Sequence, residues 1–551
     1  MREHRISSGR QIAGGCREAP LRTGHIHNAD RGGPRLPDTG TRRTALRVRA
    51  KGKEERMVKK EFSRISITLN RRDFEYDVYT LVIAFYPGIE THVYDPAPAE
   101  TVPADEKEET PELRVLVDIG DRIRIALTAP EREETEEEAA PPEEARSECK
   151  NLLKALLYRA LVRLSGRTLP WGNLTGIRPV KLATALLEEG KSDGEAVRAM
   201  EEMYFTSPAK ADLAVRIAQR ERRLLSEMHP ENGYSLYVGI PFCPSICLYC
   251  SFSSSPLSLW ADRTDAYLDA LLKEAAAMAG AFPGRELQTV YIGGGTPTTL
   301  SAEQLRRLLG ALRQTFDFSA VREFTVEAGR PDSITEDKLL ALREFGVSRI
   351  SINPQTMNQE TLDLIGRKHT VGETEKAFAL ARGLGFDNIN MDLIVGLPGE
   401  GLAEVGKTMR RIEALGPDDV TVHALALKRA ARLRMHMDEY EEISFKASDE
   451  IMACTEEACA RLAMTPYYLY RQKNMAGNFE NVGYARAGRA GLYNILIMEE
   501  VQSILALGAS GSTKIVHGDG RIERIENVKD IRNYLERIDE MIGRKACLLE
   551  G

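Results

Sequence analysis

The sequence predicts an α/β protein: a parallel sheet wrapped by helices, curled as a partial barrel or open, with an N-terminal α+β region before it and a mixed C-terminal domain after it. Three observations carry this. From Tyr234 to about Ala426 a strand, loop, helix pattern repeats six times. Before that span come alternating stretches and then helical ones, and after it the rhythm is lost. Most of the six candidate strands also end in residues unusual for a structural turn, as expected where ligands gather at the carboxyl ends of parallel strands.

Taken in order, the first 56 residues differ from the rest. They hold 14 Lys and Arg against 6 Asp and Glu, a net of +8 in a chain whose total is -7. They are rich in Gly, Pro and Thr and lack hydrophobic periodicity, so residues 1–56 are expected to form an unstructured basic extension. Lys53-Glu54-Glu55-Arg56 can be encoded by a purine-rich ribosome-binding sequence, which makes Met57 the expected natural start. The net charge gives no reason to expect a nucleic-acid partner. No run approaches the ~18 apolar residues of a membrane span. No apolar stretch follows Arg42-Arg43, so no secretory signal is read and a cytoplasmic location is expected.

Residues 57–130 read as the N-terminal α+β region. Phe62–Leu69 alternates in part, as a strand does, and Tyr79–Tyr86 is a dense apolar stretch open to either helix or strand. Leu113–Val117 and Ile123–Leu127 flank a Gly/Asp turn and predict a hairpin. Residues 131–150, dominated by Glu, are expected to be an acidic linker or an exposed helix start. Residues 151–230 read as helical, interrupted by an ordered loop, Leu169–Pro179, that contains one of the two tryptophans.

The core is placed at 231–430 and the separate C-terminal domain at 431–551. Candidate strands are Ser235–Ile240, Thr289–Ile292, Glu323–Glu327, Arg349–Ile352, Asn388–Leu393 and Val420–Ala424. Helical segments lie between them, with Leu305, Leu308, Leu309 and Leu312 on one face of one and Leu402, Val405, Met409 and Ile412 on one face of another.

The first strand runs into Cys243-Pro-Ser-Ile-Cys247-Leu-Tyr-Cys250. A short loop after a strand can turn all three sulfurs toward one point, and three thiolates can hold three irons of a 4Fe-4S cluster, leaving the fourth iron open. A structural zinc site wants a fourth nitrogen or sulfur ligand, and the next histidine along the chain is His369. The cluster is therefore the expected occupant. Cys16, Cys149, Cys454, Cys459 and Cys547 are scattered and read as free thiols.

The other strand ends add to this rim. The second runs into Gly293-Gly-Gly-Thr-Pro-Thr298, where absent side chains let backbone groups approach a ligand. The third ends at Glu327-Ala-Gly-Arg330, whose carboxylate can accept hydrogen bonds from an ammonium or hydroxyl group. Asn353-Pro-Gln355 follows the fourth, and the sixth leads to Ala426. The fifth holds Asp392 inside an apolar run, and since Asp is rarely buried unpaired it is read as a ligand contact.

Cys-x3-Cys-x2-Cys after a first strand, with a glycine motif after the second, resembles the radical S-adenosylmethionine (SAM) superfamily. Gly239-Ile-Pro-Phe-Cys243, Gly293–Thr298, Leu364-Ile-Gly-Arg-Lys-His369 and Asp392-Leu-Ile-Val-Gly-Leu-Pro398 resemble the oxygen-independent coproporphyrinogen III oxidases. Tyr470–Tyr484 and Cys243–Phe252 place the resemblance nearest their HemZ-type branch. It covers about residues 57–551 and is densest from 234 onward.

The resemblance implies a radical SAM partial (β/α)6 barrel, an enzyme of haem biosynthesis, and cofactors comprising a 4Fe-4S cluster and one or two molecules of SAM. It implies a porphyrinogen substrate whose propionates lose hydrogen and CO2 to become vinyl groups, and an electron donor such as a flavodoxin or ferredoxin. Cys243, Cys247 and Cys250 match the cluster ligands. Tyr237, Gly294 and Glu327 match the contacts of the cluster-bound SAM, Tyr237 and Glu327 being the catalytic candidates. Tyr249, Gly295, Thr296, Gln355, Arg367, Asp392 and Ala426 match residues around a second SAM.

Two positions depart from the best-studied members: Gly239 stands where they have His, and Phe252 where they have a further Cys. The latter change also occurs in the related haem chaperones. A haem-binding or haem-delivery role, or a radical SAM reaction on another substrate, are the alternatives. Lys428-Arg429-Ala-Ala-Arg432-Leu-Arg434, just past the sixth strand, reads equally as an anchor for propionates or as a solvated charge run.

Overall fold

The computed structural model describes residues 62–96, 112–176, 178–426, 447–472 and 478–549. The expectations for residues 1–56 and for Lys428–Arg434 fall outside that set, as does the middle of the Tyr470–Tyr484 motif.

The N-terminal part is built from β1 (Arg64–Leu69), α1 (Glu75–Phe85), β2 (Glu90–Tyr94), β3 (Glu112–Ile119), β4 (Arg122–Ala129), β5 (Arg132–Ala139) and α2 (Arg146–Ser165). The strands pair in the order β2-β1-β3-β4-β5. Alternation sends Ile65, Ile67, Val115, Val117, Ile123 and Ile125 to one face, where they are buried with Leu81 and Val82 of α1 and Leu153, Leu157 and Leu161 of α2. The ambiguous stretch at 79–86 lies in helix α1, because Val78, Leu81, Val82 and Phe85 recur at helical spacing and all are buried. The hairpin at 113–127 forms as antiparallel β3 and β4.

The acidic run is not a linker. Its first half is β5, paired with β4 from Arg122↔Ala139 to Ala129↔Arg132, and α2 starts at Arg146. Charge had hidden a two-residue period. Glu134, Glu136 and Glu138 share the face turned to α2 and meet Arg159 and Arg163 of that helix, while Glu137 pairs with Arg122. A strongly charged outermost strand also resists pairing with another chain. The N-terminal unit therefore extends through α2 to about residue 165. The next helices, α3 (Val180–Glu188), α4 (Asp193–Tyr204) and α5 (Pro208–Met228), pack into the larger core instead. The loop before them is ordered, with Trp171 buried and its Nε1 donating to Glu480 at 2.7 Å.

The six expected strands form as β6 (Gly233–Ile240), β9 (Glu286–Gly294), β10 (Glu323–Glu327), β11 (Arg349–Ser351), β12 (Ile389–Val395) and β13 (Asp419–Ala424), after the short β7 (Phe242–Cys243) and β8 (Ser255–Pro256) are counted in sequence. They are parallel and neighbour one another in chain order, which gives the partial barrel. The crossovers are α6 (Thr264–Ala277), α7 (Ala302–Thr315), α8 (Glu336–Glu344), α9 (Gln359–Leu364), α10 (Val371–Gly383) and α11 (Leu402–Leu415). Leu305, Leu308, Leu309 and Leu312 form the buried stripe of α7.

The C-terminal residues are not a separate domain. They supply α12 (Asp449–Arg461), β14 (Thr465–Tyr470), β15 (Asn481–Ala485), α13 (Leu492–Glu499), β16 (Ser503–Leu507), β17 (Ser512–Val516), β18 (Ile522–Glu526), α14 (Ile531–Glu536) and α15 (Ile538–Arg544). β15 adds antiparallel to β13, and β16 adds parallel to β6, so one sheet runs β14-β15-β13-β12-β11-β10-β9-β6-β16-β17-β18. An open barrel leaves two edges with unpaired backbone groups. The C-terminal chain covers both. Among the described residues no helix is long and apolar enough to cross a membrane.

Candidate active site

The cysteine loop begins where β6 ends. Tyr267 of α6 donates to the Gly239 carbonyl at 2.7 Å, fixing the strand end. Phe242 and Cys243 then pair with Ser255 and Pro256, closing the loop at its base. Leu248 N donates to Ile365 O at 3.0 Å and pins the loop's far side to the segment after α9. Thr296 Oγ1 lies 3.6 Å from Cys243 Sγ, and an Arg330 guanidinium nitrogen 3.7 Å from Cys247 Sγ. Arg330 is itself held by Asp332 at 2.8 Å and by Ser245. The three thiols line one cavity of about 380 Å³. Burial pushes the Cys243 and Cys250 thiols up.

The glycine run after β9 forms the adjacent wall. Gly294 sits at φ +108°, and a Cβ at Gly295 would come within 2.5 Å of the Phe242 carbonyl oxygen. That crowding follows from two hydrogen bonds, Gly295 N to Ile240 O and Thr296 N to Phe242 O, both 2.7 Å. The triplet exists so that this turn can lie directly against the start of the cysteine loop.

The remaining strand ends close the cavity. Tyr291 donates to Glu327. Burial pushes the Glu327 carboxyl up to about 7, against the opposing pull of that hydrogen bond, with the Asp392 charge adding to the rise. Asp392 accepts from Asn390 at 2.8 Å and faces His423 at 3.8 Å. Burial works against its ionised form, but His423 and Asn390 outweigh it and hold the carboxyl below its ordinary value. Gln355 has φ +68°, held by its N–H to Asp392 O at 3.0 Å and by Ile394 N–H to its own carbonyl at 2.9 Å. A non-glycine residue in the left-handed region costs of order 1–3 kcal/mol and is retained where the surroundings fix it. Arg367 donates to the Asn353 carbonyl.

Of the thirteen residues picked out by sequence, the structure brings twelve onto this one cavity: Cys243, Cys247, Tyr249, Cys250, Gly294, Gly295, Thr296, Glu327, Gln355, Arg367, Asp392 and Ala426. Tyr237 does not line it. Its ring stacks against Tyr291 and Tyr493, and its hydroxyl lies behind Gly294, 3.4 Å from where a Cβ there would be.

Sequence reasoning missed Arg330, Tyr291, His423 and Tyr470. The first was visible as the charged end of Glu327-Ala-Gly-Arg330. Tyr470 was visible only as the first residue of the Tyr470–Tyr484 motif, Tyr291 and His423 carried no site assignment, and the pairing of β9, β13 and β14 in one sheet turns all three to the cavity. The two departures also find their places. A Cβ at Gly239 would lie 3.3 Å from Ala509 O and 3.5 Å from the Tyr237 ring, so the segment after β16 packs closely on this position. Phe252 lines the cavity mouth, 73% exposed.

The donor set fits an iron-sulfur cluster. Among the described residues no three His, Cys, Asp or Glu side chains are gathered closely enough to hold a single metal ion. Three spaced thiols facing one cavity suit a cluster that spreads its irons over separate thiolates. Beside them, a glycine wall and a buried carboxylate offer backbone groups and an acceptor of the kind an amino acid's ammonium and carboxylate require.

Comparison with known proteins agrees with this geometry. Residues 237–412 match the Radical SAM superfamily. The oxygen-independent coproporphyrinogen-III oxidase-like protein HemZ of Bacillus subtilis (strain 168) is 40% identical over 417 residues, spanning 74% of this chain and 82% of that protein. The heme chaperone HemW of the same organism is 31% identical over 316 residues, 56% of this chain and 76% of that protein. Among solved structures, the coproporphyrinogen III oxidase HemN of Escherichia coli, a radical SAM enzyme, aligns with a TM-score of 0.46 and 26% identity, covering 58% of this chain and 73% of that one.

Proposed function

Because the chain belongs to the oxygen-independent coproporphyrinogen III oxidase-like branch of the radical SAM superfamily, and so is a radical SAM oxidoreductase, we propose that it converts coproporphyrinogen III to protoporphyrinogen IX by oxidative decarboxylation of two propionates. The observation that carries the reading is the convergence of the twelve residues on one cavity.

Cys243, Cys247 and Cys250 would hold the 4Fe-4S cluster, and Glu327, Gly294 and Gly295 the SAM beside it. When bound, the two together would supply, on receipt of one electron from a donor such as a flavodoxin or ferredoxin, a carbon radical able to remove a propionate hydrogen, and an external acceptor would take the electron released as CO2 departs. The chain's own residues position and protect. Arg330, fixed by Asp332, places a positive charge beside Cys247 and offsets the negative charge of a thiolate-bound cluster. Glu327 accepts from Tyr291 and from the Gly294 backbone, and presents its carboxylate to an ammonium. Tyr237 acts from behind, filling the space under Gly294 and holding that turn against the cavity. Asp392, Gln355, Arg367, Thr296, Tyr249 and Ala426 line the remaining wall, where a second SAM or the substrate edge would lie.

A second reading, haem binding for delivery, is favoured by one feature. His423 lines the same cavity, the one histidine to do so among the described residues. Anaerobic reconstitution with iron and sulfide decides between them. The proposal expects 5′-deoxyadenosine that rises with added coproporphyrinogen III, together with CO2 and a divinyl product. Deoxyadenosine indifferent to coproporphyrinogen, with stoichiometric haem binding lost in His423→Ala, would overturn it.

A further inference from the structure

A second, larger cavity of about 550 Å³ lies at the opposite end of the sheet. Its wall is made by the segments entering β10, β11 and β12, by one face of α5 and by the loop leading into α13. In parallel β/α folds that end serves stability, and ligand chemistry sits at the other. Five arginines converge here all the same: Arg220, Arg223, Arg322, Arg343 and Arg489.

Their partners leave part of the charge uncompensated. Arg489 pairs with Asp387 at 3.0 Å. Arg220 donates to the Thr465, Pro466, Ala485 and Arg486 carbonyls, and Arg322 to the Glu227 carbonyl at 2.7 Å, so both are fixed without a carboxylate. Arg343 lies over the Phe386 ring, 5.3 Å from its centre. Neither Arg343 nor Arg223 has a carboxylate within ion-pair distance among the described residues. Of the other two acidic side chains lining the cavity, Glu323 is taken up by the amide N–H groups of Leu492 and Tyr493 and by Thr325. Five arginines thus line the cavity against three carboxylates, Asp387, Glu323 and Glu227.

Arginines gathered on one wall favour an anionic occupant, and guanidinium forks match phosphoryl oxygens in bidentate fashion. The excess of two positive charges suits a diphosphate, and the volume falls within the roughly 300–1,000 Å³ typical of small-molecule sites. We propose that this cavity is a binding site for a small ligand carrying two adjacent phosphoryl groups. It lies at the amino end of α13, and the same helix sends Asn494, Ile497 and Met498 into the active-site cavity.

The inference stands apart from the reaction proposed above, since its test needs neither cluster nor SAM. Inorganic pyrophosphate is titrated calorimetrically into the full chain, with citrate, which has similar charge on planar carboxylates, as the comparison. Pyrophosphate should bind, and more tightly than citrate. Arg223→Glu and Arg343→Glu, both at exposed positions, should each weaken it by about tenfold or more, the scale of a lost hydrogen bond to a charged group. Circular dichroism of the two variants confirms that the fold is kept. Absence of pyrophosphate binding, binding untouched by either substitution, or preference for citrate would each overturn the assignment.

Discussion

Glu327 is the residue whose titration is most open to test. Burial raises its carboxyl from an ordinary 4.5 to about 7. The folded chain thus keeps a proton that the unfolded chain gives up earlier, so this group's contribution to stability declines as pH rises from about 4.5 through about 7. Glu327→Gln should remove that contribution from the profile of melting temperature against pH, and a variant whose difference from wild type stays constant across the window would refute the assignment. An ammonium brought beside the carboxylate favours ionisation. Affinity for SAM in cluster-loaded protein should therefore rise with pH up to about 7, by at most about tenfold per unit, and Glu327→Gln should remove the dependence. The thiols give a second test at this scale. Ala at Cys243, Cys247 or Cys250 should abolish cluster loading, measured as iron content and visible absorption, while Ser at Cys454 should leave it intact. Residue identities at strand ends were legible in the sequence because chemistry there conflicts with ordinary burial, as with Asp392 in an apolar run. Tyr291 and His423 offered no such conflict, and an aromatic or imidazole in a strand is unremarkable until its face is known.

At the scale of elements, the turn after β9 is the most constrained. Gly295→Ala would put a methyl group within 2.5 Å of the Phe242 carbonyl, a backbone atom that cannot rotate away. The turn and the cysteine loop would have to separate, breaking the 2.7 Å hydrogen bonds from Gly295 and Thr296. A loss of about 1–3 kcal/mol in unfolding free energy is expected, with weaker cluster loading, whereas Gly280→Ala, where nothing lies within 4 Å, should change neither. Equal effects from the two substitutions would show that the close approach is not what selects glycine. Elements with a clear period were readable: α7 from its leucine stripe, β3 and β4 from alternation about a turn. β5 was not, because its alternation is among glutamates, and its ladder with β4 and the arginines of α2 that meet its charged face appear only in the fold.

For the whole molecule, sequence order showed a six-unit core but not what closes its edges. Ser503–Leu507 is five residues long, and nothing local to it identifies β6, more than two hundred residues earlier, as its parallel partner. The junction is sealed by one buried carboxylate. Glu274 of α6 accepts from Lys545 at 2.7 Å, Tyr534 at 2.6 Å, Asn527 at 2.8 Å and the Gly508 amide at 2.9 Å. Both Glu274 and Lys545 side chains are 0% exposed. Removing one member of such a pair leaves the other buried and uncompensated, at a cost of about 3–5 kcal/mol. Lys545→Met should therefore lower the urea midpoint substantially, and because Glu274 also holds the turn after β16 against Gly239, it should loosen the cysteine loop and weaken cluster loading. The double substitution Glu274→Gln with Lys545→Met removes both charges and should recover much of the stability. If the double variant were as unstable as the sum of its single changes, the pair would not be acting as a unit, and the C-terminal strands would owe their place on the sheet to apolar burial alone.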